Sequence, residues 1–284
     1  MFRMRFILQL IAVVAVSAVG GQAVAATEDN VWLQLVLGLA TAVAATLVYY
    51  WVVKLTEKRE VTEASAGTAA SGLIRGTLLG VALFGLVIMN IAVNGSYDVD
   101  GVSDKPSGAI GLAGFMAAAA VTEELMFRGV LFRHVEKLTG TWIALTLSAL
   151  IFGGVHLLNE NAGLWGALCV AIAGGGMLTS AFIATRSLWL PMGLHFGWNY
   201  AQAGIFSTEV SGNGLKQGLL DSELTGNKWM TGGEFGPEAS FSTLVVGVFV
   251  TIIFLWIAKR RGNLVPMRRS ARQTESAAPS TLVG

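Results

Sequence analysis

Long apolar stretches separated by short polar segments dominate this chain. A helix that crosses the hydrocarbon core of a bilayer needs about 17–25 residues, most of them apolar. Eight such stretches occur, at residues 6–26, 31–53, 72–94, 108–132, 142–158, 164–185, 187–206 and 241–258. Only the connecting segments 54–71 and 207–240 are long. The pattern therefore predicts an all-α polytopic membrane protein with about eight transmembrane helices.

Composition supports an environment of lipid rather than water. Hydrophobic residues make up 54% of the chain and charged residues 13%, with a mean hydropathy of +0.63. Soluble domains usually carry about 25% charged residues. The single cysteine, Cys169, lies in an apolar stretch, so an internal disulfide and a cysteine metal cluster are both excluded. We interpret Cys169 as a small buried hydrophobic residue.

Lysine and arginine are sorted strongly between the two sides of the predicted bundle. If the N-terminus is cytoplasmic, the outer loops contain only Lys105, Lys216 and Lys228, while Arg128 falls inside a helix. The inner segments contain Arg3, Arg5, Lys54, Lys58, Arg59, Arg75, Arg133, Lys137, Arg186, Lys259, Arg260, Arg261, Arg268, Arg269 and Arg272. By the positive-inside rule this predicts a multi-pass protein with both termini cytoplasmic. The short cytoplasmic loops and the basic tail give no sign of a eukaryotic cell, so we expect a prokaryotic plasma membrane.

The sequence is less informative about the structure of the two ends of the chain and of one loop. Residues 1–26 combine a basic start, an apolar run and an Ala-Val-Ala sequence, so the first span is either a retained helix or a signal peptide. Residues 1–262 form the predicted membrane domain, and residues 263–284 a disordered cytoplasmic tail whose arginines favour anionic lipid over nucleic acid. The polar segment 207–240 is either a partly ordered loop over the mouth of the protein or a flexible connection.

Ionisable side chains inside the predicted spans are the main candidates for function. Each costs a few kcal/mol on insertion scales, so each requires a physical reason. The charged or titratable ones are Glu123, Glu124, Arg128, His156 and His195, and the uncharged Asn199 joins them. Each taken alone has a structural interpretation as an ion pair or an interhelical hydrogen bond. Their occurrence on three separate spans favours a shared functional site.

Helical spacing separates these residues into predicted roles. Glu124 and Arg128 are four apart and share a helix face, so each can neutralise the other. Glu123 is rotated by about 100° and lacks that partner, which suits a general base in low-dielectric surroundings. We therefore assign chemistry to Glu123 and support to Glu124 and Arg128. His134 lies beside Arg133 in a predicted inner loop and is interpreted as a solvated surface residue.

The two remaining spans each contribute a pair of residues spaced by four. Phe152 and His156 share one helix face, and His195 and Asn199 share another. Counting about 1.5 Å per residue from the inner boundary places Glu123, His156 and His195 roughly 12–21 Å deep. The spacing therefore predicts one chamber within the inner half of the bilayer.

Three motifs are now present in order: Glu-Glu-x-x-x-Arg at 123–128, Phe-x-x-x-His at 152–156 and His-x-x-x-Asn at 195–199. Together they resemble the CAAX protease and bacteriocin-processing (Abi) family of intramembrane proteases, which includes the Ras-converting CAAX prenyl endopeptidase. The resemblance implies a protease core at 108–206, with the catalytic site in an intramembrane cavity. It implies that Glu123 and His156 activate a water molecule and that His195 and Asn199 stabilise the oxyanion. Glu124, Arg128 and Phe152 would support the site.

The resemblance also implies partners and leaves one cofactor question. The expected substrate is a membrane-associated peptide or lipidated protein, including prenylated CAAX-type proteins, and the oligomeric state stays open. Glu123, His156 and His195 form a zinc-like donor set, and the family has been called metalloproteases. No His-Glu-x-x-His sequence is present, and a glutamate/histidine mechanism accounts for the same residues. We therefore expect no metal cofactor.

Two other classes of function fit part of the pattern. A proton-coupled transporter uses buried Glu and His as proton relays. However, the polar residues cluster in three spans, and no paired broken helices indicate inverted repeats. A noncatalytic peptide-binding or immunity protein would keep the fold without the reaction. Substitution of Glu123 separates these alternatives.

Overall fold

The computed structural model describes residues 2–214 and 218–267. Its helices are α1 Phe2–Ala25, α2 Val31–Glu57, α3 Ala69–Val93, α4 Gly108–Thr139, α5 Thr141–Leu158, α6 Leu164–Thr185, α7 Trp189–Tyr200, α8 Lys228–Thr231 and α9 Phe241–Arg260. A π-helical turn, Ala201–Ile205, extends α7. Two short strands, β1 Tyr97–Val102 and β2 Leu220–Leu224, pair antiparallel.

The all-α polytopic architecture predicted from the sequence is confirmed. Within the described residues, seven helices, α1 to α6 and α9, are long and apolar enough to cross a membrane. The eighth predicted span, 187–206, is also helical. Its 12 α-helical and 5 π-helical residues reach only the lower limit of the length needed for a crossing.

Helix α4 extends further than the sequence indicated, and this corrects the interpretation of His134. The helix continues beyond Phe132 to Thr139 and ends at Gly140, whose φ of +87° favours glycine. His134 is therefore on a helix and is buried, with its Nδ1 2.8 Å from the carbonyl oxygen of Val130. Its interpretation as a solvated surface residue was wrong.

Both described ends of the chain lie on one face, which we call the basic face. Near the start of α1, the ring of Phe6 lies 5.4 Å from that of His134. After α9, Asn263 donates to the carbonyl oxygen of Ile183, and the backbone N–H of Val265 donates to Thr141. The predicted tail therefore begins with packed residues, and its remainder, 268–284, lies outside the described residues. The opposite face, which we call the loop face, carries β1, β2 and the described part of 207–240.

Ion pairs join the helix ends at the basic face. Glu57, at the end of α2, accepts hydrogen bonds from Arg59 (2.7 Å), Arg133 (2.8 Å) and Lys137 (3.0 Å). The buried amide of Gln9, on α1, also donates to Glu57 at 3.0 Å. One carboxylate thus connects α1, α2 and α4.

A second carboxylate, Glu63, follows in the segment between α2 and α3. It accepts from Arg59 at 2.6 Å and from the hydroxyl of Tyr49 at 2.8 Å. Burial alone would raise the pKa of Glu63, but the hydrogen bond from Arg59 and the charge of Arg133 outweigh it, so the pKa is lowered. Glu63 is therefore charged at neutral pH and holds this segment against α2 and α4.

Helices α3 and α7 pack through glycines with no side chain between them. A Cβ atom added at Gly76 or Gly80 would overlap the backbone of α7, and one added at Gly193 or Gly197 would overlap the backbone of α3. Small residues spaced by four permit this close approach in membranes. The contact fixes the position of α7, which carries His195 and Asn199.

Candidate active site

Three π-helical segments lie beside the polar residues singled out by sequence. Leu125–Phe132 interrupts α4 directly after Glu124, Ala171–Gly175 interrupts α6, and Ala201–Ile205 follows α7. Such segments are rare and occur often at functional sites, because the extra residue per turn redirects neighbouring side chains. Their presence on three helices marks this region as unusual in backbone geometry as well as in charge.

Arg128 is the central buried cation of the site. Its guanidinium is fully buried and donates from Nη1 to Glu124 Oε1 at 2.7 Å. It also donates to the hydroxyl of Thr179 at 3.2 Å and to the carbonyl oxygen of Gly175 at 3.4 Å. The ring of Phe152 lies 4.6 Å from the guanidinium carbon. Arg128 thus neutralises Glu124 and connects α4 to α5 and α6.

Glu124 also contacts His195, a relation that sequence reasoning missed. Its Oε1 lies 3.0 Å from His195 Nδ1, and both side chains are buried. Because a carboxylate only accepts hydrogen bonds, Nδ1 of His195 carries the proton in this contact. The two residues are 71 positions apart, and no local pattern indicates the pairing. The chain Arg128–Glu124–His195 therefore orients the imidazole toward Glu123.

Glu123 faces the same imidazole from the other side and has spare bonding capacity. Its Oε2 lies 3.9 Å from His195 Nε2, too far for a hydrogen bond. This oxygen is buried and has no hydrogen-bond partner among the described residues, although the side chain as a whole is 29% exposed. A buried unpaired carboxylate oxygen at the edge of a cavity indicates a position for water or a ligand.

His156 has one ring nitrogen engaged and one available. Its Nδ1 lies 2.7 Å from the carbonyl oxygen of Phe152. A carbonyl only accepts, so Nδ1 carries the proton and Nε2 of the neutral ring can accept another. The ring of Phe152 lies 4.9 Å from that of His156 and 6.0 Å from that of His195. The ring of Phe152 therefore forms an apolar surface between the two imidazoles.

A cavity of about 230 Å³ brings the four predicted catalytic residues together. Glu123, His156, His195 and Asn199 all line it, and we call it the chamber. The side chain of Asn199 makes no hydrogen bond with any described residue and is half-buried, so its amide is available to a ligand. The remaining lining residues are Phe115, Met116, Ala119, Val155, Asn159, Val210, Ser211 and Asn213.

The chamber extends from Glu123 toward the loop face. Asn159, Ser211 and Asn213, which line it, belong to loop-face segments, and His156 follows the last residue of the α-helical part of α5. On the other side, Glu123 precedes Arg133, which pairs with Glu57 at the basic face, by about 15 Å of helix. The depth of the chamber within the bilayer stays a prediction.

A narrower cavity adjoins the chamber on the far side of the two histidines. It has a volume of about 30 Å³, shares His156, His195 and Asn199 with the chamber, and extends to Met177 and Cys169. Its walls are mostly apolar, and Cys169 is free and buried, in agreement with the interpretation of Cys169 from sequence.

The described side chains do not form a ready metal site. No group of three His, Cys, Asp or Glu within residues 2–214 and 218–267 is placed to hold a metal ion. Each histidine also has its Nδ1 committed, to Phe152 and Glu124 respectively. The zinc-like set of Glu123, His156 and His195 is therefore not preformed, and the metal-free reaction stays a prediction.

These features define a class: a polytopic helical membrane protein with a chamber lined by glutamate and histidine inside the bundle. Within that class, residues 105–201 match the family described as "Type II CAAX prenyl endopeptidase Rce1-like". The match covers about a third of the chain, includes all three motifs, and confirms the resemblance read from them. It supports a CAAX-type intramembrane protease in general. No curated protein and no solved structure matched the chain significantly.

Proposed function

We propose that this chain is an intramembrane endopeptidase that hydrolyses a peptide bond of membrane-associated substrates with a water activated by Glu123 and His156. One observation supports this most directly. The unpaired buried oxygen of Glu123 and the ring of His156, whose Nε2 can accept a proton, line one cavity. General-base hydrolysis needs one proton acceptor within reach of a water molecule, and a second acceptor can orient that water toward a peptide carbonyl.

The reaction follows from the bonding capacity of each group. The water molecule gives one proton to the Glu123 carboxylate and donates its other hydrogen bond to His156 Nε2. The oxygen of the water then attacks the carbonyl carbon of the peptide. The resulting tetrahedral oxyanion accepts from the Asn199 amide and from His195. The C–N bond then breaks as the proton held by Glu123 passes to the leaving nitrogen. One peptide bond and one water become a carboxylic acid and an amine.

The charges around His195 support its role as a donor to the oxyanion. Glu123 and Glu124 contribute two negative charges, and Arg128 balances one of them. A protonated His195 balances the other and can donate from Nε2, while its Nδ1–H stays on Glu124. Glu124 and Arg128 then act through His195, as positioning residues.

Cleavage of quenched fluorescent peptides by the purified protein tests this proposal. The panel contains prenylated and plain peptides, and wild type is compared with Glu123→Gln and His156→Gln, each with and without a chelator. General-base catalysis contributes about 10²–10⁴-fold, so each variant should lose at least about 100-fold in rate. The matched control is Glu223→Gln, an exposed carboxylate on β2, which should keep full activity.

The other outcomes separate the alternatives. Less than about 10-fold loss in Glu123→Gln would contradict the role of this carboxylate as general base. Loss of activity with chelator, restored by zinc, would overturn the metal-free reaction. A wild-type protein that binds the peptides without cutting them would support a noncatalytic binding protein instead.

A further inference from the structure

The chamber is closed on the side of the basic face. Leu125, Arg128 and Phe132 follow Glu124 along α4 toward that face, and all three are fully buried. Beyond them, Glu57 connects α1, α2 and α4 through a hydrogen bond from Gln9 and an ion pair with Arg133. None of the residues lining the chamber belongs to the basic face. A peptide arriving from that side would have to disrupt packed helices and buried charges.

On the side of the loop face, described residues of two loop segments line the chamber. Asn159, Ser211 and Asn213 line it there, and Asn213 is exposed. The amide of Asn159 donates to the carbonyl oxygen of Ser211 at 2.7 Å, which holds the loop residues beside the opening. The chamber, with Glu123 and His156 in its wall, therefore extends to the loop face.

The two faces differ strongly in charge among the described residues. The loop face carries eleven acidic residues and two lysines, Lys105 and Lys228. The acids are Glu28, Asp29, Asp98, Asp100, Asp104, Glu160, Glu209, Asp221, Glu223, Glu234 and Glu238. The basic face carries four acids, Glu57, Glu60, Glu63 and Glu136. Its twelve cations are Arg3, Arg5, Lys54, Lys58, Arg59, Arg75, Arg133, Lys137, Arg186, Lys259, Arg260 and Arg261.

We propose that the chamber opens to the extracytoplasmic side and takes its peptide substrates from there. Lysine and arginine close to membrane helices stay cytoplasmic, and this bias sets orientation, which makes the basic face cytoplasmic and the loop face extracytoplasmic. The scissile bond then lies in a segment of peptide or membrane protein exposed at the outer surface or in the outer leaflet. This inference rests on the proposed function for its substrate class, whereas the orientation of the chamber rests on charge and geometry alone.

Cysteine labelling tests the orientation without any need for activity. On a Cys169→Ala background, Asn213→Cys places a thiol at the opening of the chamber, and Glu60→Cys is the matched control on the basic face. Both native side chains are exposed, and neither is among the proposed catalytic residues. A membrane-impermeant maleimide added to intact bacterial cells should label Asn213→Cys, and should label Glu60→Cys only after permeabilisation. The reverse pattern would overturn the proposal.

Sided cleavage tests the substrate class. Right-side-out vesicles should cleave an impermeant quenched peptide added outside, and inverted vesicles should show less than a tenth of that rate. Reaction of Asn213→Cys with a bulky maleimide should block cleavage, while the same treatment of Glu60→Cys should not. Cleavage only in inverted vesicles would overturn the extracytoplasmic substrate but leave the proposed function standing. If neither vesicle preparation cleaves the peptide, both the proposed function and the proposed substrate fail. The labelling pattern then decides alone on which side the chamber opens.

Discussion

Removing the charge of Arg128 perturbs the site at its most enclosed point. In Arg128→Met, the side chain keeps a similar length but loses the ion pair to Glu124 and the hydrogen bonds to Thr179 and Gly175. Both members of the ion pair are fully buried, so water cannot solvate the carboxylate that remains. Removing one partner of a buried pair costs about 3–5 kcal/mol, and we expect that loss in the free energy of unfolding.

The double variant Glu124→Gln/Arg128→Met distinguishes the cost of losing the contact from the cost of leaving a buried charge without a partner. With both charges gone, no buried ion lacks a partner, and replacing a buried pair with neutral groups is often close to neutral. We expect the double variant to lie within about 2 kcal/mol of wild type and above Arg128→Met in stability. Glu124→Gln alone leaves the buried Arg128 charge without its partner and should likewise cost about 3–5 kcal/mol. A coupling energy of at least about 4 kcal/mol between the two positions follows.

Unfolding by SDS in mixed micelles, followed by tryptophan fluorescence, measures these differences, because the chain contains eight tryptophans. Lys137→Met is the control. Its ion pair with Glu57 is at the surface, with 51% of the lysine side chain exposed, so it should cost less than about 1 kcal/mol. Loss of under about 1 kcal/mol in Arg128→Met would refute the reasoning. So would a double variant whose cost equals the sum of the two single variants.

Three further results are expected. Gly193→Val should destabilise the protein by about 2 kcal/mol or more because its side chain would overlap the backbone of α3, whereas Gly85→Val, with open space around it, should be near neutral in the same unfolding assay. The lowered pKa of Glu63 adds stability that is present above its ordinary pKa and is lost as pH falls through the folded-state value. Melting temperature should therefore drop on acidification in wild type and change less in Glu63→Gln, and equal pH profiles would contradict this. Because Gln9 bonds Thr56 and Glu57, α1 should be retained, and intact mass spectrometry of the purified protein should find no species lacking residues 1–25.

The sequence was sufficient to predict the architecture, because the length of apolar segments in a bilayer is a local property. The sequence predicted the ends of the helices less reliably. The basic residues Arg133 and Lys137 suggested a loop after residue 132, but no helix-breaking residue occurs before Gly140, and Glu57 forms ion pairs with both side chains. The same error led to the incorrect interpretation of His134 as a solvated surface residue.

Within the candidate site, the sequence identified the residues but not all of their contacts. Spacing by four correctly predicted the ion pair of Glu124 and Arg128, since both lie on one helix. The contacts of Arg128 with Thr179 and of Glu124 with His195 join residues 51 and 71 positions apart. No periodicity encodes such distances, and they depend on how helices pack in three dimensions. The roles assigned to the four residues of the chamber stay predictions until substitution tests them.

The glycine contact between α3 and α7 has a mechanical consequence. Where backbones touch without intervening side chains, one helix cannot slide or roll against the other without steric overlap. Helix α7, which carries His195 and Asn199, therefore keeps a fixed position relative to α3. The opposing side has more room to move, because Glu123 borders a further cavity of about 200 Å³ between α1, α2 and α4. If the chamber widens there, His195 and Asn199, the proposed oxyanion-binding groups, keep their positions while Glu123, the proposed base, and its surroundings move.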